Sequence, residues 1–264
     1  MKKLFVVGFS TVILLVLMGV GAFAQHDAKA ELSPEDVLAK VWDHMRGDTS
    51  YSLTTMTVIR PKWQRTSKIK VWTKGREDSI FQIVAPAKDK GNGTLKKGRQ
   101  MWTYNPKINR VVKIPPSMMS QSWMGSDFSN NDLSKADSIL VDYTHQVEKM
   151  ELLNGMRVYT IRSTPHDDAP VVWGMQRLIV REDGILLKEI YYDEDLEPVK
   201  ILSTDKIVDM GGRLFPQVWT MRSVDENGEG LTDEYTELTY EVLEFDIALK
   251  KGLFNINALK KPVR

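Results

Sequence analysis

The sequence predicts a mainly β fold, a strongly curved antiparallel sheet that forms an incomplete β-barrel. An N-terminal helix and a helical or loop lid are expected over its concave face. Many segments alternate between apolar and polar residues, as at 68–73 and 175–181, which is typical of strands with one buried face. Turn dipeptides separate these segments, and about a dozen strands in one open sheet tend to curl. One amphipathic helix precedes the strands, and its apolar side has to be buried against them.

The first 24 residues have the features of a secretory signal. Lys2 and Lys3 precede a mostly apolar run at 4–20, and Ala22-Phe23-Ala24 is an A-x-A cleavage site before Gln25. The alternative is an uncleaved membrane anchor, because the run is near the lower limit of roughly 17 residues for crossing a bilayer. The small residues and the A-x-A motif favour cleavage between Ala24 and Gln25. A linker at 25–32 and a single domain at 33–264 then follow.

Charge and cysteine content exclude several classes of protein. Cleavage would remove Lys2 and Lys3 and change the formal net charge from +1 to −1, which gives no electrostatic basis for binding nucleic acid. The chain has no cysteine, which excludes disulfides, thiol catalysis, thiolate metal sites and lipid attachment through a cysteine. We therefore expect a free periplasmic protein, and we expect it to be a monomer.

The predicted helix has clear signals at both ends. Ser33 is a suitable N-cap, Pro34 suits the first helical position, and Glu35 and Asp36 favour the positive end of the helix dipole. Gly47 ends the helix. Its apolar residues recur at helical spacing and form one stripe: Val37, Leu38, Val41, Trp42 and Met45.

Two-residue turns punctuate the rest of the chain. The hairpin signals are Asn154-Gly155, Asp183-Gly184, Gly211-Gly212 and Asn227-Gly228, with further turns at Lys74-Gly75 and Gly91-Asn92-Gly93. The strands are predicted near 51–60, 66–73, 79–85, 100–104, 110–114, 144–152, 156–163, 173–181, 185–192, 197–208, 213–223 and 232–244. Consecutive hairpins imply an antiparallel meander.

The segment at 98–133 is the most informative part of the sequence. A hairpin turns at Asn105-Pro106, and the returning strand ends at Pro115-Pro116. The following loop carries Met118, Met119, Trp123, Met124 and Phe128. Loops normally lie in water, so these apolar side chains have to be covered either by the protein's own core or by an apolar ligand.

This segment also carries a family resemblance. Its motifs are Trp102-x-Tyr104-Asn105-Pro106, Arg110-Val111, Met124-Gly125-Ser126-Asp127-Phe128 and Asp132-Leu133. They resemble the LolA-like outer-membrane lipoprotein-sorting family, and more narrowly its branch that is associated with large inner-membrane exporters. The resemblance implies the same curved-sheet fold. It also implies an arginine of functional importance near the turn at Lys74-Gly75, for which Arg76 is the candidate.

The candidate ligand-binding residues are mostly aromatic residues and methionines. They are Trp102, Tyr104, Met118, Met119, Trp123, Met124, Phe128 and Arg76. Methionine accommodates apolar partners of various shapes, so the loop is a plausible lid over a cavity, although packing in the core is the alternative for each residue. Arg99 and Arg110 flank the hairpin and either contact a ligand head group or form surface ion pairs.

The sequence predicts neither a catalytic site nor a bound metal or cofactor. His166-Asp167-Asp168 lies between prolines and is expected to be a solvated loop rather than a metal site. Asp127 and Asp132 are expected to cap a short helix near 126–133. The sequence lacks a Gly-x-Ser-x-Gly elbow and a phosphate-binding glycine loop.

The resemblance and the apolar lid together predict a periplasmic carrier for the acyl chains of a lipoprotein or of an envelope lipid. The resemblance implies an inner-membrane exporter of the RND/MMPL or ABC type as a partner. Two alternatives stay open. One is a non-catalytic accessory subunit that docks on such an exporter without lipid cargo. The other is an envelope hydrolase, which requires Asp127, Asp132 or His145 to converge in a cleft.

Overall fold

The computed structural model describes residues 32–134, 138–225 and 231–261. The predicted signal peptide, nearly all of the linker and the Asn227-Gly228 turn lie outside these ranges. The described residues from Leu32 onward belong to one compact unit.

The N-terminal helix forms as its end signals predict. Helix α1 spans Pro34–Arg46, and the Ser33 hydroxyl accepts a hydrogen bond from the backbone N–H of Asp36 at 3.1 Å. Gly47 ends the helix with a φ of 58°, and its N–H donates to the carbonyl of Asp43. Because that φ lies in the left-handed region, glycine suits this position better than any other residue.

Within the described residues, thirteen strands form a single antiparallel sheet that is curved and not closed into a barrel. The strands are β1 (Thr49–Arg60), β2 (Trp63–Lys74), β3 (Asp78–Ala85), β4 (Gly93–Lys97), β5 (Gln100–Asn105), β6 (Arg110–Lys113), β7 (Tyr143–Leu153), β8 (Met156–Pro165), β9 (Met175–Arg181), β10 (Leu186–Tyr192), β11 (Pro198–Met210), β12 (Arg213–Val224) and β13 (Leu231–Phe245). The short helices α2 (Asn130–Ser134) and α3 (Ile256–Leu259) complete the set together with single 3₁₀ turns at Pro116–Met118, Trp123–Gly125 and Ser138–Leu140. The predicted fold class is confirmed.

Two meanders meet at the centre of the sheet: the first consists of β1 to β6 and the second of β7 to β13. The strand order is β6-β5-β4-β3-β2-β1-β13-β12-β11-β10-β9-β8-β7, so β1 pairs with β13. This pairing joins the first and last strands of the chain, and adjacent hairpin signals cannot predict it because the partners lie far apart in sequence.

Strand β4 was not among the predicted strands. The sequence places a turn at Gly91-Asn92-Gly93 but gives no strand signal after it, because the segment ends in Lys96-Lys97. The Lys96 side chain is nevertheless buried, and its Nζ donates to the carbonyl of Arg76 at 2.6 Å. A buried lysine of this kind is rare, because its ammonium group needs a partner in the interior.

Helix α1 packs on the inner face of the sheet, which we define as the face covered by α1 and by the segment between β6 and β7. Its apolar stripe joins buried residues of β8, β9 and β12, including Tyr159, Leu178 and Trp219. The β9–β10 turn lies directly against the helix, where Gly184 has a φ of 92° and a Cβ would lie 3.1 Å from the Lys40 carbonyl oxygen. A side chain at this position would therefore push the turn away from the helix.

The outer face of the first meander is covered by the C-terminal segment. Trp72, Ile80 and Leu95 pack there against Leu253 and Leu259. Gly93 provides the space for this contact, because a Cβ on it would lie 2.8 Å from a methyl carbon of Leu259. The C-terminal segment therefore covers the part of the outer face that carries these residues.

Within the described ranges, none of the helices has both the length and the apolar character needed to cross a bilayer.

Truncation of Leu38 is expected to destabilise the fold strongly. Leu38 is fully buried between α1 and the sheet, so Leu38→Ala should lower the free energy of unfolding by about 2–5 kcal/mol, as measured by urea denaturation. Leu152→Ala is the matched control, because Leu152 is 72% exposed, and it should change stability by no more than about 0.5 kcal/mol. Equal effects of the two substitutions would contradict the packing of α1 on the inner face.

Candidate functional site

The lid, which we define as residues 114–134, crosses the inner face of the sheet. Its central residue is Trp123, which is buried to 4% exposure and packs with Met56. The indole Nε1 donates to the hydroxyl of Thr94 at 3.1 Å, and the ring lies edge-on to Phe81 with centroids 5.4 Å apart. Trp123 therefore attaches the lid to the first meander.

A charged pair anchors the lid to the centre of the sheet. The guanidinium of Arg60 donates to both carboxylate oxygens of Asp127, at 2.9 and 3.1 Å. The hydroxyl of Thr236 donates to the same carboxylate at 2.6 Å and accepts from the Asp127 backbone N–H at 3.0 Å. Because both partners of the ion pair are mostly buried, their geometry fixes the position of the lid.

A capping box begins the short helix α2. The backbone N–H of Ser129 donates to Asp132 Oδ2 at 2.7 Å, and the backbone N–H of Asp132 donates to the Ser129 hydroxyl at 3.1 Å. The capping predicted for Asp132 therefore occurs, whereas Asp127 instead pairs with Arg60. Lys200 Nζ on β11 also donates to Asp132 Oδ2, at 2.5 Å, and this contact ties α2 to the second meander.

Two cavities lie between the inner face, α1 and the lid. Cavity A, of about 240 Å³, lies beside α1 on the second meander, and its apolar wall includes Trp42, Leu202 and Trp219. Cavity B, of about 250 Å³, lies on the first meander, and its wall includes Val71 and Trp123. Six residues line both cavities: Met45, Arg46, Phe128, Asp132, Leu238 and Tyr240. The two spaces are thus neighbours across a shared wall, and together they reach the range of about 300–1,000 Å³ that is usual for small-molecule sites.

One wall of cavity A is polar, and its central group is Glu189 on β10. The pKa of the Glu189 carboxyl is raised to about 7, mainly by burial, and the negative charge of Asp132 acts in the same direction. A hydrogen bond from Tyr191 and the charge of Lys200 act in the opposite direction. Beside it, the Gln176 amide donates to the Tyr143 hydroxyl at 3.2 Å. We call Asp132, Gln176, Glu189, Tyr143 and Tyr191 the polar wall.

The Lys200 ammonium group lies over two aromatic rings next to this wall. Its Nζ lies 4.6 Å from the ring centroid of Trp173 and 4.9 Å from that of Tyr191. Those rings pack against each other with centroids 5.2 Å apart. The lysine charge is therefore already balanced by Asp132 and by the two ring faces.

The predicted ligand-binding residues of the lid fall into two groups. Phe128 lines both cavities, Trp123 lines cavity B, and Met124 packs beside Trp123 on the inner face. Met119 is half-buried and Met118 is 41% exposed, and neither contributes to the walls of the two cavities.

Trp102 and Tyr104 lie on the outer face, which differs from the expected position beside the concave cavity. Both pack with the cluster around Leu95 and Leu253, beneath the C-terminal segment, and Lys113 Nζ lies 5.7 Å from the Trp102 ring centroid. The reason is strand alternation. Met101, which precedes Trp102, has the inward position on β5 and is fully buried, so Trp102 and Tyr104 point to the opposite face.

Arg76 lies outside both cavities, in an exposed ion pair with Asp43 at 2.7 Å. A different arginine, Arg46 at the end of α1, lines both cavities and donates to the carbonyls of Gly75 and Arg76 at 3.3 and 3.2 Å. Arg99 pairs with Asp142 at 2.8 Å, in agreement with the ion-pair alternative for that residue.

The three residues required by the hydrolase alternative are engaged in separate contacts. Asp127 binds Arg60, Asp132 binds Lys200, and His145 Nδ1 lies 2.9 Å from the hydroxyl of Ser163. Burial lowers the pKa of His145, and its partner Ser163 is fully buried. Across the described ranges, no group of three His, Asp or Glu side chains is placed to hold a metal ion.

Of the polar wall, reasoning from sequence singled out only Asp132, and it missed Glu189 at the centre of the wall. Glu189 follows Lys188 in the strand and is itself charged, so the sequence favours a solvent-facing position for it. The usable signal is a register shift between Leu186 and Lys188 where β10 pairs with β9, because it changes which residues point inward. That shift depends on the pairing of the strands and is not visible in the sequence of β10 alone.

Comparison with known proteins agrees with this architecture. A family model described as "Uncharacterized protein" matches residues 75–261, which is more than half of the chain. A search of curated proteins found no match.

Three solved structures share the fold over most of their length. A domain described as an outer membrane lipoprotein-sorting protein from Vibrio parahaemolyticus has a TM-score of 0.73 and 20% identity, covering 86% of this chain and 98% of that one. A DUF1329 family protein from Desulfovibrio piger has a TM-score of 0.73 and 24% identity, covering 85% and 97%. A LolA superfamily protein from Nitrosomonas europaea has a TM-score of 0.69 and 20% identity, covering 86% and 100%. The chain therefore has the fold of these LolA-like proteins, as the resemblance implied.

Substitution of Asp127 is expected to loosen the lid. Asp127→Asn removes the charge that pairs with Arg60, so the free energy of unfolding should fall by about 1–3 kcal/mol and amide hydrogen exchange in the lid should become faster. Glu151→Gln, which alters an exposed pair with Lys149, is the control and should leave exchange in the lid unchanged. Unchanged exchange in the Asp127 variant would contradict the role of this pair as an anchor.

Glu189 is expected to make stability depend on pH. Because burial raises its pKa from the ordinary value of 4.5 to about 7 in the folded protein, the folded state holds the proton more tightly than the unfolded chain. This stabilisation is fully present below about pH 4.5 and is lost as the pH rises through about 7, and it amounts to roughly 3 kcal/mol. Between pH 4.5 and 8, urea denaturation should show a smaller decrease in the free energy of unfolding for Glu189→Gln than for the unaltered protein. The same pH slope in both would contradict the burial of this carboxyl.

Proposed function

Because the chain belongs to the family whose model matches residues 75–261 and has the LolA-like fold, we propose that it is a periplasmic carrier. Its ligand would be the acyl chains of a lipoprotein or of an envelope lipid, carried between the inner and the outer membrane. The observation that supports this proposal is the pair of adjoining, largely apolar cavities beneath the lid. The neighbour from Vibrio parahaemolyticus is described as a lipoprotein-sorting domain, which is in line with such a cargo.

The free energy of ligand binding comes from removing acyl chains from water. Burial of one methylene gains about 0.8 kcal/mol, so a chain of about 16 carbons has on the order of 12 kcal/mol to gain. The loss of ligand freedom and the opening of the lid oppose this gain, and the measured affinity is correspondingly lower. An affinity reduced in this way suits a carrier, which has to release its cargo.

The wall shared by the two cavities is the expected site of ligand entry. Met45 of α1 and Phe128 of the lid both belong to it, and their side chains are apolar. Movement of the Phe128 ring would join cavities A and B into one larger space. Without ligand, α1 and the lid cover the apolar surface themselves.

Delivery to the carrier would require a membrane partner. The sequence contains no nucleotide-binding motif, so the proposed source of energy is an inner-membrane exporter of the RND/MMPL or ABC type. The predicted cleavage at Ala24 would release the protein into the periplasm, and the carrier itself would have no catalytic role.

A second candidate function is an accessory subunit that docks on such an exporter without lipid cargo. It is supported by the exposed end of β7, a strand at the edge of the sheet, where Met150, Leu152 and Leu153 are 45%, 72% and 56% exposed. Unpaired strand edges with apolar side chains are typical sites of protein association. Leu152→Asp should abolish co-purification of a membrane partner if this edge is the docking site.

Phe128 provides a direct test of the carrier proposal. Phe128→Asp places a charge in the wall of both cavities, and it should weaken binding of an uncharged fluorescent acyl ester by at least tenfold, or about 1.4 kcal/mol. Met118→Asp is a matched control in the same lid, because Met118 is 41% exposed and lies outside both cavities. Circular dichroism and thermal unfolding of both variants confirm folding, and equal affinities of two folded variants would contradict binding in these cavities.

A further inference from the structure

The carrier proposal leaves the polar wall of cavity A without a role, although it faces the same space as the apolar groups. We propose that this wall is a subsite for a head group that carries a protonated amine, as in an aminolipid. The inference rests on the proposed function, because the acyl part of such a ligand would occupy the apolar walls of the two cavities.

Unpaired oxygen atoms in the wall point to a ligand that donates hydrogen bonds. The Asp132 side chain is 6% exposed, and its Oδ2 accepts from Ser129 and Lys200, but its Oδ1 is buried without a hydrogen-bond partner among the described residues. Asn131 is 4% exposed, and its side-chain oxygen is unpaired in the same way. Both residues line cavity A. A buried acceptor without a donor costs free energy. A ligand N–H that reached either oxygen would supply the missing hydrogen bond and recover that free energy.

The charges around the wall favour a cation over an anion. Glu189 on β10 faces Asp132 on α2 and Lys200 on β11, with Tyr191 on its own strand and Tyr143 on β7 beside it. Lys200 already pairs with Asp132 and lies over two aromatic rings. Arg46 also lines cavity A, and its guanidinium donates to the carbonyls of Gly75 and Arg76. The acceptors that remain are Asp132 Oδ1 and the Glu189 carboxyl, which would bind an ammonium group and repel a carboxylate or phosphate.

The neighbouring walls fit the remainder of such a ligand. Trp42, Leu202 and Trp219 adjoin the polar wall within cavity A, and Phe128 leads on to cavity B. A ligand with its amine at Asp132 and Glu189 would thus place its acyl chain along apolar surface. The alternation of polar and apolar walls fixes the direction in which the chain lies.

The subsite makes amine binding depend on pH. An alkyl ammonium group keeps its charge from pH 5.5 to 8, because its pKa is near 10. Over this interval Glu189, whose pKa is about 7, changes from mostly protonated to mostly ionised. Ionised Glu189 attracts the ammonium group, so affinity should rise by about tenfold between pH 5.5 and 8. The affinity of an uncharged ligand should stay the same over this interval.

Three twelve-carbon probes test the inference on the mature protein: dodecylamine, dodecyltrimethylammonium and methyl dodecanoate. They share a twelve-carbon chain but differ in charge and in N–H donors, and each is titrated against the bound fluorescent ester at pH 5.5 and 8. At pH 8 dodecylamine should bind at least tenfold more tightly than either other probe. Glu189→Gln should remove this preference and its pH dependence, whereas the exposed control Glu151→Gln should retain both.

The outcomes separate this inference from the carrier proposal. Binding of methyl dodecanoate without any preference for dodecylamine would overturn the amine subsite and leave the carrier proposal intact. Equal binding of dodecylamine and dodecyltrimethylammonium would also overturn it, because the second probe has no N–H to donate. Failure of every probe would instead contradict the carrier proposal itself. Asp132→Asn provides a second variant with an isosteric side chain, and an unchanged amine preference in both variants would exclude the polar wall.

Discussion

An open curved sheet cannot leave its inner face in water, and this constraint shapes the rest of the molecule. The inner face carries Met56, Ile69, Tyr159 and Leu178, which are almost completely buried. The sheet does not close on itself, so other parts of the chain have to cover these side chains. Helix α1 covers the second meander and the lid covers the first. Their positions follow from the need to bury that face.

The two covers are attached in different ways, and this difference bears on function. Helix α1 is held mainly by its apolar stripe, whereas the lid is held at separate points by Trp123, by the Asp127–Arg60 pair and by the Asp132–Lys200 pair. Between these points the packing is incomplete, and cavities A and B lie there. A cover attached at a few points over incompletely packed space is suited to admit a flexible apolar ligand without unfolding the sheet.

Much of the fold was predictable because its signals are local. Ser33, Pro34 and Gly47 define α1 within a few residues, and Asn154-Gly155 and Asp183-Gly184 define hairpins by their turn chemistry alone. The pairing of β1 with β13 joins residues nearly the length of the domain apart, as in Thr54 with Tyr240, and no local signal marks it. The apolar lid was recognisable for the same reason as the helix, since its residues are contiguous.

The site was less predictable because it depends on which face each strand residue occupies. Trp102 and Tyr104 belong to a strand with apolar residues on both faces, since the C-terminal segment packs on the outer one, and alternation alone cannot tell the two faces apart. Glu189 shows the converse case. Glu189 follows Lys188 and looks like a surface residue, and only the register of β10 against β9 turns its side chain inward. Residues whose role depends on distant pairing are those that the sequence did not reveal.

The central claim is that the space beneath α1 and the lid holds an acyl ligand. Native mass spectrometry of the mature protein purified from its own periplasm, with extraction of any bound lipid, tests this most directly. The account predicts a stoichiometric acylated adduct that is lost when Phe128 is replaced by aspartate. A mass of the protein alone, together with no uptake of added acyl probes, would contradict the account and favour a docking subunit.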